Sequence, residues 1–182
     1  MNATELPYLE RPVRLPRVEP IRPFHFVVIY DEQNAAAEAR RLLGPFLSIS
    51  LRGPEIHRDE LSFAELGHPE LQRETLEMTA ECDLLTIATV NGESLATSVM
   101  SWLNLWLQSR RQKEAALVSL VGSSDGSLLG SAVHQHLQCV ADGYGLAFFS
   151  AVFNSTAIRR GNSQLDELYR HSPRPERWGI NE

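Results

Sequence analysis

Two adjacent carboxylates, Asp31 and Glu32, follow an apolar run that ends at Tyr30. Paired acids in that setting can hold a hard cation such as Mg2+. Hydroxyl, amide and small residues gather where other apolar runs end: Thr89 with Asn91-Gly92, then Gly122-Ser123-Ser124-Asp125-Gly126-Ser127, then Asn154. The glycine–serine loop has the composition of an anion cradle, because small residues let backbone N–H groups turn toward a ligand and Ser or Asp can cap the helix that follows. The same composition also makes an ordinary strand-to-helix turn. His134 and His136 resemble a metal pair only superficially, since residues two apart on a helix point about 200° away from each other. His136 shares a stripe with Leu129 and Val140 and reads as a hydrogen-bonded, partly buried histidine. Cys139 lies within helical reach of His136, yet two ligands do not make a zinc site. The sequence has no G-x-S-x-G elbow, no recognisable Cys-His set, no Walker A loop and no G-x-G-x-x-G. These absences lower the expectation of an enzyme.

The elements that would position these residues alternate along the chain. FHFVVIY from Phe24 reads as a strand buried on both faces. Ala35, Ala39, Leu42 and Leu43 recur at helical spacing, and Gly44-Pro45 predicts the stop of that helix. FLSISL, Phe46 to Leu51, reads as the second strand, and residues 52–68 receive no assignment beyond a long connection with a short helical turn. Pro69 suits a first helical position. Leu71, Thr75, Met78 and Cys82 then share one face, while Glu70, Glu74, Glu77 and Glu81 form a solvated row.

Asp83 to Val90 predicts strand three, Ser94 to Arg111 a long helix, Ala115 to Gly122 strand four and Leu146 to Phe153 strand five. Leu129, Val133, Leu137 and Val140 mark the helix between the last two strands, closed by Gly143-Tyr144-Gly145. In the long helix, Val99, Trp102, Leu103 and Trp106 form an apolar stripe that Leu105 and Leu107 widen beyond the need of one sheet face. The excess fits either a subunit contact or deeper burial, so Trp102, Leu105 and Trp106 are interface candidates for a homodimer. Strand–helix alternation implies right-handed crossovers and a five-stranded parallel sheet of order 2-1-3-4-5 within a flavodoxin-like three-layer αβα sandwich. In such a sheet the ligand crevice lies beyond the carboxyl ends of the strands. That would bring Asp31, Glu32, Thr89, Asn91, Ser123, Ser124, Asp125 and Asn154 onto neighbouring loops.

Composition bounds the rest. The chain has 182 residues, enough for one domain, which the pattern divides into a proline- and arginine-rich extended arm over 1–23, an α/β domain over 24–153 and a tail over 154–182. The tail carries a short predicted helix from Ser163 to His171 and an anchoring Trp178, a further interface candidate. A net charge of −6 opposes general nucleic-acid binding. With two cysteines, no signal-like start and no apolar run approaching a bilayer span, the expectation is a cytoplasmic protein away from membranes.

Across Phe24 to Val152 the chain resembles response-regulator receiver domains, through its element order and the acids closing strand one. In that family the corresponding acids hold Mg2+ and Ser123 would match the switching hydroxyl. The resemblance departs at two places. Ala88-Thr89 stand where a phosphoacceptor Asp should close strand three, and Ser150-Ala151 stand where a Lys should close strand five. Lys113 is the sole lysine. Forming an acyl phosphate needs a carboxylate nucleophile with a metal and a cation to offset the added charge. The resemblance therefore implies a non-phosphorylatable interaction or regulatory module with a protein partner. The alternative is a flavodoxin-like flavin- or nucleotide-binding protein, with Tyr30, Asn91 and Ser123 as ring contacts. FMN held in the usual way is opposed by Asp31 and Glu32, which would repel its phosphate by on the order of a kcal/mol each. No cofactor is predicted.

Overall fold

Strands that are apolar on both sides need cover on both faces, and this chain supplies it with helices above and below one sheet. The computed structural model describes residues 22–49, 55–112, 114–124, 126–128 and 130–155, with backbone alone at 46–49. Along the chain these form β1 (Phe24–Tyr30), α1 (Gln33–Ile49), β2 (Ile56–Ser62), α2 (Phe63–Leu66), α3 (Pro69–Thr79), β3 (Leu84–Thr89), α4 (Thr97–Ser109), β4 (Ala116–Ser123), α5 (Ala132–Tyr144) and β5 (Ala147–Asn154). All neighbouring strands run parallel, in the order β2-β1-β3-β4-β5. This is the flavodoxin-like arrangement expected from the sequence. Lys113, Asp125, Leu129, Trp178, the arm through residue 21 and the tail from residue 156 lie outside the described residues. Among the described residues no helix is long and apolar enough to cross a membrane.

The step from β1 to β2 runs one way along the sheet and the later crossovers run the other. Right-handed connections therefore place α1 on one face and the later helices on the opposite one. The two cores follow that division. Phe26, Val28, Ala88 and Leu120 meet Ala35 and Ala39 of α1. On the other face Val27, Ile29, Leu85, Ile87 and Leu117 pack with Val99 and Leu103 of α4 and Val133 and Leu137 of α5.

The second strand is not FLSISL. Helix α1 continues through Gly44-Pro45 to Ile49, and β2 begins only at Ile56. A proline inside a helix removes one N–H and strains the preceding turn at roughly 3 kcal/mol, but it does not forbid continuation. Here Arg41, whose carbonyl loses its donor, and Pro45 both face solvent. Strand β2, sequence IHRDELS, is an edge strand with Leu61 as its one buried residue. It has one partner strand and carries no apolar run, unlike β5 at the other edge, which reads AFFSAVFN.

The excess apolar width of α4 resolves into burial within the chain. Trp102 and Trp106 are fully buried, which corrects their placement as interface candidates. Their indole N–H groups donate to α3: Trp102 Nε1 to Thr75 Oγ1 at 2.9 Å and Trp106 Nε1 to the Thr79 carbonyl at 3.0 Å. The i, i+4 spacing on both helices puts each indole one turn from the next, opposite its own threonine. Leu105 remains outside, 39% exposed. On α3 the buried residues are Thr75 and Thr79, whereas Met78, expected inside, is 37% exposed. The glutamate row does face solvent.

Candidate functional site

At the carboxyl ends of the strands, Asp31 sits one residue past β1 and Thr89 ends β3, its neighbour in the sheet. The Asp31 carboxylate accepts hydrogen bonds from Thr89 Oγ1 at 2.6 Å and from the Val90 amide at 2.8 Å. It also accepts the Glu32 amide at 2.7 Å. Its oxygens are thus occupied by donors from the turn after β1 and from the end of β3. Thr89 Oγ1 in turn lies 2.9 Å from the Asn91 carbonyl and accepts the Asn91 amide at 3.2 Å. The pair works as a clasp between strands, and the Mg2+ ligands expected at Asp31 and Glu32 are here a bonded acid and an exposed neighbour.

The neighbouring loops are similarly engaged. Asn91 Oδ1 accepts the Glu93 amide at 3.0 Å, and the Tyr30 hydroxyl accepts from Gln33 Nε2 at 2.8 Å, so two of the expected ring contacts serve local turns. Helix α5 is capped by Ser131 rather than by the glycine–serine loop. Ser131 Oγ accepts the His134 amide at 3.2 Å and donates to the Gly92 carbonyl at 3.0 Å. The Val133 amide also reaches the Gly92 carbonyl, at 3.1 Å. Of the first-turn amides that would cradle an anion, that of Val133 therefore binds the loop after β3 and that of His134 binds the Ser131 cap. Close approach seals this corner: a Cβ on Gly122 would lie 2.6 Å from the Val90 carbonyl oxygen, and one on Gly92 would lie 2.7 Å from Val121 Cγ1. Ser123 ends β4 half-buried, while Ser124 and Asn154 are exposed. The structure brings Asp31, Thr89 and Asn91 into one network.

A second polar cluster occupies the opposite end of the sheet. His25 on β1 and His57 on β2 are register partners, and Asp59 stands two residues beyond His57 on the same side of its strand. His25 Nε2 lies 2.8 Å and His57 Nε2 3.2 Å from one oxygen, Asp59 Oδ2. Their rings are 4.9 Å apart at the centroids. Beside them an open cleft of about 370 Å³ is lined by Arg22, Pro23, His25, Glu55, His57 and Glu81. Sequence reasoning missed this cluster because it put no strand at 57–59. The signal was His57-x-Asp59, alternate residues on one side of a strand, paired with the histidine near the start of β1.

Among the described residues, the other histidines and cysteines form no second group of three that could hold a metal ion. His136 is exposed on α5, not buried on the apolar stripe as expected. His134 packs its ring 5.5 Å from Phe148. Burial pushes the Cys82 thiol up to about 12, so it stays protonated and inert, whereas Cys139 is exposed. In comparisons with protein-family models, curated proteins and solved structures, the chain matches none.

Proposed function

We propose that the protein is a receiver-like interaction or regulatory module that does not accept a phosphoryl group. The observation that carries this reading is the Asp31 clasp. A carboxylate that binds Thr89 Oγ1, the Val90 amide and the Glu32 amide spends its lone pairs on holding strands together. The position closing β3 supplies a buried hydroxyl in place of a carboxylate nucleophile. A hydroxyl cannot form the acyl phosphate on which receiver switching depends. At the end of β5 stand Phe153 and Asn154, neither of which supplies a cation. What survives of the receiver layout is a rigid scaffold, whose use is to present surface to another protein.

Incubating the protein with acetyl phosphate and Mg2+ tests this directly. The intact mass is expected to stay unchanged, and an acid-labile phosphoryl adduct would overturn the proposal.

A further inference from the structure

The three side chains at the amino edge of the sheet share a geometry that hydrogen bonding alone does not require. His25 needs a partner, since its side chain is only 12% exposed, and Asp59 provides one at 2.8 Å. His57 needs none, because its side chain is 64% exposed and water could serve it. Yet its Nε2 also turns inward, to 3.2 Å from the same Asp59 oxygen. The two Nε2 atoms and the carboxylate oxygen lie within 4.8 Å of one another.

We propose that His25, His57 and Asp59 form a binding site for one divalent cation of the zinc class, joining edge strand β2 to β1. The donor set decides the class. Two imidazole nitrogens and one carboxylate oxygen suit Zn2+, Co2+ or Ni2+, whereas Mg2+ and Ca2+ take predominantly oxygen ligands. In a tetrahedral zinc site with bonds of about 2.0–2.1 Å, ligand atoms stand roughly 3.3 Å apart. The observed 2.8 and 3.2 Å would open by about 0.5 and 0.1 Å, and the two Nε2 atoms, within 4.8 Å of each other, would settle to the same spacing.

Supporting contacts hold the backbone of one ligand, His25, from outside. The His25 amide donates to Asp83 Oδ2 at 2.8 Å, and Asp83 also takes Gln112 Nε2 at 2.9 Å. The Arg22 guanidinium pairs with Asp83, which offsets its charge beside the cleft. Glu55 and Glu81 line the same cleft, together with Arg22, and add negative potential beside the three ligands. This inference is independent of the proposed function, since it concerns the opposite end of the sheet.

The test uses the full chain without a polyhistidine tag, stripped with EDTA and exchanged into chelator-free buffer. Titration with Zn2+ is expected to give one bound ion and a raised melting temperature, with no rise in Mg2+. Co2+ is expected to give the visible absorption of a low-coordinate site. His57→Ala, a change at an exposed side chain, and Asp59→Asn are each expected to weaken Zn2+ binding about tenfold or more. Cys139→Ala is expected to bind as the parent does, which excludes the exposed cysteine as the ligand. Absence of a Zn2+ response, undiminished binding by His57→Ala, or loss of binding in Cys139→Ala would each overturn the site.

Discussion

Each end of the sheet gathers a cluster of polar side chains around an aspartate, and the two clusters are put to different use. At the carboxyl end, where an open parallel sheet ordinarily binds its ligand, Asp31, Thr89, Asn91 and Ser131 satisfy one another and the backbone. At the amino end, His25, His57 and Asp59 converge on one point beside an open cleft. The difference teaches that a fold rule locates a crevice without saying whether its groups are free. Hydrogen-bond saturation answers that second question. A carboxylate that accepts several protein donors contributes to structure through them, wherever it stands in the fold.

The sharpest way to break the comparison is to remove the clasp. Asp31→Ala leaves the Val90 amide without its acceptor next to a buried residue, and takes from Thr89 one of its two acceptors. The expected cost is about 3 kcal/mol, because an orphaned buried donor loses its full desolvation compensation. Urea unfolding measures it. A cost below about 0.5 kcal/mol would mean that Asp31 is free for ligand work after all, as surface substitutions are.

A smaller effect is expected at the junction of β2 and α2. Ser62 and Glu65 form a capping box: Ser62 Oγ accepts the Glu65 amide at 3.2 Å, and Glu65 Oε2 accepts the Ser62 amide at 2.6 Å. Hydrogen bonds from the Ser62 side chain and then from its backbone hold the Glu65 carboxyl below the ordinary glutamate range. Ser62→Ala is expected to cost about 1 kcal/mol at neutral pH. The sign of the pH dependence follows from the depressed value. The stabilisation is present above the unfolded glutamate range and is lost as pH falls through the lower folded value. The gap between parent and variant should therefore narrow in acid without closing, because Ser62 Oγ still accepts the Glu65 amide there, and a gap that stays constant would assign the loss to that cap alone.

What the sequence made legible tracks the apolar content of each strand. Strands β1, β3, β4 and β5 lie within two residues of their expected bounds, because each carries a run of apolar and β-branched residues, from LLTIAT in the covered centre of the sheet to AFFSAVF at the β5 edge. Strand β2, at the other edge, does not, since IHRDELS has no apolar run and looks like a polar connection. FLSISL, with its apolar alternation, took its place, although four of those residues extend α1. That single error hid the amino-edge cluster, because without a strand at Ile56–Ser62 nothing pairs His57 with His25. At the carboxyl end Asp31 and Thr89 were legible as neighbours. Their mutual bonding was not, for it depends on rotamers and on the Val90 amide, which no spacing specifies.

The smallest expected effect separates the two ends most cleanly. In metal-free buffer, His57→Ala should change unfolding stability by no more than about 0.5 kcal/mol, as befits an exposed side chain. Asp59 keeps His25 as its partner at 2.8 Å, so the substitution orphans no buried group. Added Zn2+ should then stabilise the parent and leave the variant nearly where it was, because binding to the folded state alone raises stability only where the site is intact. Were His57→Ala instead to cost as much as Asp31→Ala without metal, the amino edge would be a second structural clasp. Its polar groups would then be saturated like those at the other end, and the contrast between a filled crevice and an available edge would vanish.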